Sequence, residues 1–278
     1  METQYDWSFE DLCEHLRTSC GVKAGDILIV HSSAKAIGRV PAGPVAAVRA
    51  LKTTVSEEGT LLLPVFSNPT PNGIFKIKRT PSRVGLVTEA FRRSKDVKRS
   101  RHPTHSVAGW GKRAEEFIAD HEKSTALGVD SPFHKAAKAG AGVLMIGCNL
   151  TTLSLVHVGE AVVRAPYLGK VFYAGYDRTL TLIDYDGSEM KFPPVDNPGD
   201  SANFTVVQEE MERRGLIEHC KVGSAETLKF DAMDALNVTI ELLGRDPGIL
   251  LCKNPRCSVC PAARKIVEES QKANPSGS

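Results

Sequence analysis

The chain has 278 residues, a formal net charge of +2, 41% hydrophobic and 24% charged residues. That length supports a large α/β core, as one domain or two intimately joined lobes, and the near-neutral charge gives a nucleic-acid role no electrostatic basis. No apolar run reaches the roughly 18–20 residues of a membrane-spanning helix. The N-terminus, METQYDWSFEDLCEHL, lacks the basic and apolar regions of a signal peptide. A cytoplasmic setting is therefore expected, with the seven cysteines mostly reduced.

Apolar residues at helical spacing predict a first helix over Phe9 to Cys20, capped by Ser8. Asp26–Val30 (DILIV) reads as a buried strand. It ends in His31-Ser32-Ser33 and a loop holding Gly38, Val40, Pro41 and Gly43, before a helix from Pro44 to Val55. Gly59-Thr60 opens a second strand, Leu61–Phe66. The segment from Asn68 to Arg83, rich in proline, glycine and basic residues, reads as a functional loop. Val84 to Arg93 is a further predicted helix, followed by Arg99-Ser100-Arg101-His102-Pro103-Thr104-His105-Ser106 and a strand-like run towards Trp110. Lys112–Asp120 is amphipathic, and Gly128 to Pro132 is a loop.

Gly142 to Ile146 (GVLMI) reads as a buried central strand, broken by Gly147 and Asn149. A hydroxyl-rich turn then leads into a helical pattern carrying His157 and Glu160, which share a face. The carboxyl end of a strand is where α/β sheets bind ligands, and an imidazole beside a carboxylate is suited to taking a proton near neutral pH. On this stretch alone, a helical histidine with a solvated glutamate is the plainer reading. Val171 to Phe192 alternates like a β-meander, and helices near Phe204–Arg214 and Ala232–Leu243 close the fold. The order of elements gives an α/β class with an antiparallel portion added late. One domain over residues 1–268 is expected, then a polar, disordered tail over 269–278.

Three further clusters carry chemistry. The strand–HSS–loop–helix unit resembles an anion cradle, with helix N–H groups, the Ser32 and Ser33 hydroxyls, and Gly38 and Gly43 for close approach. It is neither a Walker A loop nor a GxGxxG turn, and many such loops bind nothing. In RSRHPTHS the arginines could pair with phosphate; a solvated basic loop is the alternative, and two histidines alone make a weak metal site. Cys252, Cys257 and Cys260 put three thiols within nine residues. Structural zinc with Cys220 or His219 as fourth ligand is one reading; three reduced thiols in a closing turn is the plainer one.

Six segments in order resemble the aminoglycoside 3-N-acetyltransferase family. They are His31-Ser32-Ser33 with Gly38 and Val40, Gly59 to Ser67 (GTLLLPVFS), Thr80 to Gly85 (TPSRVG), Arg99 to Ser106 (RSRHPTHS), Ser131-Pro132, and His157-Val158-Gly159-Glu160. The similarity spans about Phe9 to Ala235. It implies a layered α/β/α sandwich with a mixed central sheet, the antibiotic N-acetyltransferase fold rather than the common GCN5-type fold. It also implies acetyl transfer from acetyl-CoA to an amine, most simply the 3-amino group of a 2-deoxystreptamine aminoglycoside, with antibiotic resistance as the biological outcome and a homodimer as an allowed assembly. By position, His157 is the general base with Glu160 as its acidic partner, and the CoA-contacting residues are His31, Ser32, Ser33, Gly38, Val40, His105 and Ser106. Hydroxyls or N–H groups near Ser32 and Ser106 are candidates for oxyanion stabilisation.

This chain departs from the family in three ways. Ser154 and Gly159 stand where the family's helix usually has threonine and alanine. Arg164 and Lys170 follow the catalytic helix, although a polycationic acceptor calls for carboxylates; Asp184, Asp186, Asp196 and Asp200 are the candidates for an acidic wall. An acyltransferase acting on a non-antibiotic amine, and a non-catalytic CoA-binding protein, are the competing expectations.

Overall fold

The computed structural model describes residues 4–68, 70–171, 176–194 and 200–273. In chain order the strands are β1 (Ile27–Ser32), β2 (Thr60–Pro64), β3 (Ile74–Lys76), β4 (Lys98–Arg99), β5 (Val107–Gly111), β6 (Gly142–Ile146), β7 (Leu180–Ile183), β8 (Glu189–Phe192), β9 (Glu218–Val222) and β10 (Ala225–Asp231). The helices are α1 (Phe9–Glu14), α2 (Ala34–Ile37), α3 (Pro44–Val55), α4 (Leu86–Arg93), α5 (Ala114–Ile118), α6 (Pro132–Lys138), α7 (Ser154–Val162), α8 (Thr205–Arg213), α9 (Ala232–Arg245) and α10 (Cys260–Ala273).

Seven strands form one mixed sheet in the order β4-β5-β2-β1-β6-β10-β9. Its centre, β2-β1-β6, is parallel, and both flanks are antiparallel. Strands buried on both faces read as continuous apolar runs, which is why DILIV and GVLMI stand out. The period-2 alternation divides them cleanly: Ile29, Val143 and Met145 pack with α5, α6, α7 and α9, whereas Leu28, Val30, Leu144 and Ile146 pack with α1 and α3. The expected sandwich with helices on both faces of a mixed sheet is present.

A smaller sheet, β3-β7-β8, holds the added antiparallel pair β7–β8. Its third strand comes from the segment 68–83 that the sequence suggested was wholly loop, and β3 pairs parallel to β7. Only three residues long, with Phe75 its one buried side chain, β3 leaves almost no periodic signal. Of the expected meander, residues 172–175 lie outside the described residues. The hairpin β9–β10 was not anticipated from the sequence either. It turns on Gly223-Ser224, a two-residue connection in which Gly223 takes a φ of 60°. Three helices were also missed: the short α2, inside the predicted loop after Ser33, α6, which starts at the last residue of the predicted Gly128–Pro132 loop, and α10. The last runs five residues past Glu268, where a frayed tail was expected, held by buried Cys260, Ala263 and Val267.

Ser8 caps α1 as expected, through a capping box with Asp11; the helix then relaxes into a π-turn over His15–Ser19. Of the seven cysteines, expected to be mostly reduced, Cys20 and Cys220 are joined as a disulfide. The other five cysteines are free.

Candidate active site

The parallel centre of the sheet decides where the chemistry-bearing loops meet. Ser32 at the end of β1 lies opposite Ile146 at the end of β6, and β2 runs alongside in the same direction. Antiparallel β5 starts at this edge, with Val107 opposite Pro64. Residues 31–33, 65–68, 102–106 and 147–157 therefore converge where the chain departs to either side of β1, the switch point at which open α/β sheets bind ligands.

Gly147 makes the turn off β6. Its φ is 68°, and a Cβ there would stand 2.2 Å from the Cβ of Ala36, so both backbone and space require glycine. Asn149 Oδ1 accepts the Thr151 N–H at 3.1 Å, starting a short 3-10 turn that delivers the chain into α7. His157 and Glu160 then share one face. His157 Nδ1 stands 2.6 Å from Glu160 Oε2, and the Tyr167 hydroxyl donates to Glu160 Oε1 at 2.6 Å.

Glu160 is 1% exposed, a burial that a carboxylate tolerates only with its oxygens hydrogen-bonded. Because a carboxylate can only accept, the proton of the neutral imidazole sits on Nδ1 and the lone pair on Nε2. Among the described residues Nε2 has no hydrogen-bond partner. The ring lies edge-on to Phe204 at 4.7 Å with its side chain 10% exposed. Burial and then the Glu160 charge push the Tyr167 hydroxyl far above its usual pKa, so it stays a donor.

Tyr167 and Phe204 were not foreseen. Tyr167 stands beyond the end of α7, where Arg164 takes a φ of 55° and the Ala165 N–H returns to the Glu160 carbonyl at 2.9 Å. Seven residues from Glu160, it would share its face only if the helix continued, and it arrives by a turn instead. Gly159, the departure at the family's alanine place, has a local cause. A Cβ there would stand 2.5 Å from Thr239 Cγ2 of α9, and Thr239 is fully buried.

The HPTHS segment forms a neutral wall. His102 Nδ1 accepts the His105 N–H at 3.0 Å, and His102 stacks on His121 at 4.8 Å. His121 bonds to the Ser100 hydroxyl through Nδ1 at 2.7 Å and to the Ala126 carbonyl through Nε2 at 3.0 Å. Burial lowers the pKa of His121 to about 4, and that of His102 well below the usual value. His105 falls to about 3, through burial and then the nearby charge of His157. The partner His121 lay far from the motif in sequence and gave no signal of its own.

The arginines of this segment are committed elsewhere. Arg99, 3% exposed, donates to the Val65 and Thr80 carbonyls and to Ser67 and Ser106, with its guanidinium over Phe75. Arg101 pairs with Asp184 at 2.5 Å. The Ser106 hydroxyl accepts from Arg99 and donates to Val65, which takes it out of contention as an oxyanion donor.

The anticipated anion cradle is divided in the same way. His31 Nε2 and Ser32 Oγ are buried and lack a hydrogen-bond partner among the described residues, and burial lowers His31 to about 4. Ser33 caps α2 through the Ala36 N–H. Gly38 does not offer open approach: it is packed against Ser224, Asp6 and Trp7. The Val40 side chain lies in the core. Of that set, His31 and Ser32 retain unused polar atoms.

No acidic wall assembles from the expected residues. Asp184 is paired with Arg101, Asp186 caps its own turn through Ser188, and Asp200 faces cysteines; Asp196 lies outside the described residues. Arg164 and Lys170 instead line an open cleft with Lys123 and Ser124. Neither expected fourth zinc ligand reaches the thiols, because Cys220 is in the disulfide and His219 pairs with Glu212.

The model of the family described as aminoglycoside 3-N-acetyltransferase matches residues 29–244. Aminoglycoside N(3)-acetyltransferase VII of Streptomyces paromomycinus is 29% identical over 266 residues, covering 83% of this chain and 91% of that one. Aminoglycoside N(3)-acetyltransferase VIII of Streptomyces fradiae is 31% identical over 255 residues, covering 80% and 86%. Among solved structures, the aminoglycoside acetyltransferase AAC(3)-IVa apoenzyme gives a TM-score of 0.79 at 26% identity, over 95% of this chain and 100% of that one. A histidine-to-alanine mutant of that enzyme in complex with a gentamicin gives 0.77 at 26% identity, over 95% and 99%.

Proposed function

This chain belongs to the aminoglycoside 3-N-acetyltransferase family, and on that premise we propose that it acetylates the 3-amino group of an aminoglycoside, with acetyl-CoA as donor. The observation that carries the reading is the buried relay Tyr167–Glu160–His157, which leaves the lone pair of His157 Nε2 without a partner among the described residues. A protonated amine has no lone pair with which to attack. His157 Nε2 takes the proton, Glu160 stabilises the resulting imidazolium, and Tyr167 holds the second oxygen of Glu160 so that the carboxylate cannot rotate away.

Acetyl-CoA supplies the acetyl group as a thioester. The residues present fit such a donor at the end of β1, because His31 Nε2 and Ser32 Oγ are buried polar atoms without partners among the described residues. The unused hydroxyl of Ser32 supports a role as donor to an oxygen that gains charge. Ser33 and His105 border the same edge. Lys123, Arg164 and Lys170 give the neighbouring cleft the sign that suits phosphate groups.

The loss of the expected acidic wall favours a second reading of the acceptor, a non-antibiotic amine of lower charge. Release of CoA thiol with a panel of aminoglycosides and simple amines separates the two: turnover confined to the simple amines overturns the aminoglycoside reading. His157→Ala should abolish turnover with CoA affinity retained. Unchanged turnover ends the assignment of the base.

A further inference from the structure

The C-terminal cysteines are close together in space, and their fourth neighbour is one the sequence did not suggest. The Sγ atoms of Cys252, Cys257 and Cys260 and a carboxylate oxygen of Asp200 all lie within 4.8 Å of one another. Asp200 Oδ2 is 3.0 Å from Cys257 Sγ and 3.7 Å from Cys252 Sγ. Tetrahedral zinc with Zn–S near 2.3 Å and Zn–O near 2.0 Å sets its ligand atoms about 3.5–3.8 Å apart, so shifts of about an ångström complete the geometry.

The surroundings hold these atoms as ligands are held. The other oxygen of Asp200, Oδ1, accepts the Ala202 N–H at 2.8 Å, which turns Oδ2 towards the sulfurs, as outer hydrogen bonds orient metal-binding carboxylates. The Cys260 N–H at the start of α10 points at Cys257 Sγ from 3.4 Å. Arg264, one turn into that helix, donates to the Leu251 and Cys252 carbonyls. Three thiolates and a carboxylate around a divalent cation carry a net charge of −2, which this guanidinium and the positive end of α10 offset. Three sulfurs with one oxygen in a tetrahedral array select zinc over magnesium, calcium or manganese, which take oxygen ligands.

We propose that Cys252, Cys257, Cys260 and Asp200 form a structural zinc site. Its position gives it a purpose in the fold. Asp200 stands four residues before Phe204, whose ring packs on His157, and Cys260 belongs to the same apolar cluster as Tyr167. The metal ties the segment leading into α8 to the C-terminal segment, bracing both sides of the His157–Glu160–Tyr167 relay. Binding displaces the three thiol protons into solvent as the zinc–sulfur bonds form, with no change of oxidation state.

The test uses the full chain, isolated without chelator and measured for metal, then stripped under reducing conditions and titrated with cobalt(II) and zinc. The expected result is one equivalent of zinc per chain and a cobalt complex with thiolate-to-metal charge transfer and tetrahedral d–d bands, bleached by added zinc. Cys257→Ser and Asp200→Asn should each weaken cobalt binding by at least about tenfold, while Cys148→Ser leaves it unchanged. No metal uptake by the reduced, folded apoprotein overturns the site, as does uptake unaffected by Cys257→Ser. Unchanged affinity in Asp200→Asn overturns the four-ligand set. The parent-chain titration decides the matter even where a variant does not fold, and no readout depends on acetyl transfer.

Discussion

Replacing Glu160 by glutamine preserves its size but ends its ability only to accept. Tyr167 donates to Oε1, and an amide turned to accept that bond presents its NH2 to His157 Nδ1. Nδ1 must then accept, the proton moves to Nε2, and the lone pair that the proposed mechanism requires is gone. A positioned general base contributes about 10²–10⁴-fold, or about 3–5 kcal/mol of barrier, and Glu160→Gln should lose most of it in kcat/KM measured by CoA release. The wiring also predicts a partial rescue. Adding Tyr167→Phe frees the amide to rotate its oxygen towards Nδ1, so the double variant should exceed Glu160→Gln by about tenfold, against simple additivity. Glu160→Gln within about twofold of the parent, or a double variant below the single one, refutes the relay.

Three further outcomes rest on the packing. Gly159→Ala gains about 1 kcal/mol of helix propensity but drives a methyl into buried Thr239, an overpacking worth about 1–3 kcal/mol; urea unfolding should show a net loss. Arg99→Met strands buried carbonyls of Val65 and Thr80 and should cost on the order of 3 kcal/mol or more in the same assay. Mild acid should destabilise the fold through its buried histidines. His31, His105 and His121 titrate near 4, 3 and 4 when folded, and His102 is also lowered, against about 6.5 when unfolded. The unfolded chain binds more protons below that value, so the stability present above pH 6.5 is lost as pH falls towards 4. At pH 5.5 the loss is about 1.4 kcal/mol per histidine, and a flat stability between pH 7.5 and 5.5 contradicts neutral burial.

The parallel core was legible because burial on both faces forces unbroken apolar runs, and DILIV and GVLMI are the two strands at its centre. Strands with a mixed pattern were not. In β9 only Cys220 and Val222 are buried, and β3 exists because β7 offers it an edge, a fact written more than a hundred residues away. Turns that owe their form to backbone conformation fell between these cases: Gly147 announced itself as a breaker, whereas the space it preserves beside Ala36 appears only once β1 and β6 are paired.

The site divides along the same line, and its carboxylates show why. His157 and Glu160 were legible together because three residues along one helix is a local relation. For Asp184 and Asp200, sequence supplies the charge but not the neighbour, and an acidic wall was a reasonable inference from charge alone. In the fold, one carboxylate meets a guanidinium at 2.5 Å, another a thiol at 3.0 Å, and Glu160 an imidazole at 2.6 Å. Each carboxylate has a different setting, fixed by the group it meets: a guanidinium on a neighbouring loop, a cluster of thiols, or an imidazole one helical turn away. Only the third partner lay within one helical turn, so only that assignment could be made before the chain was folded.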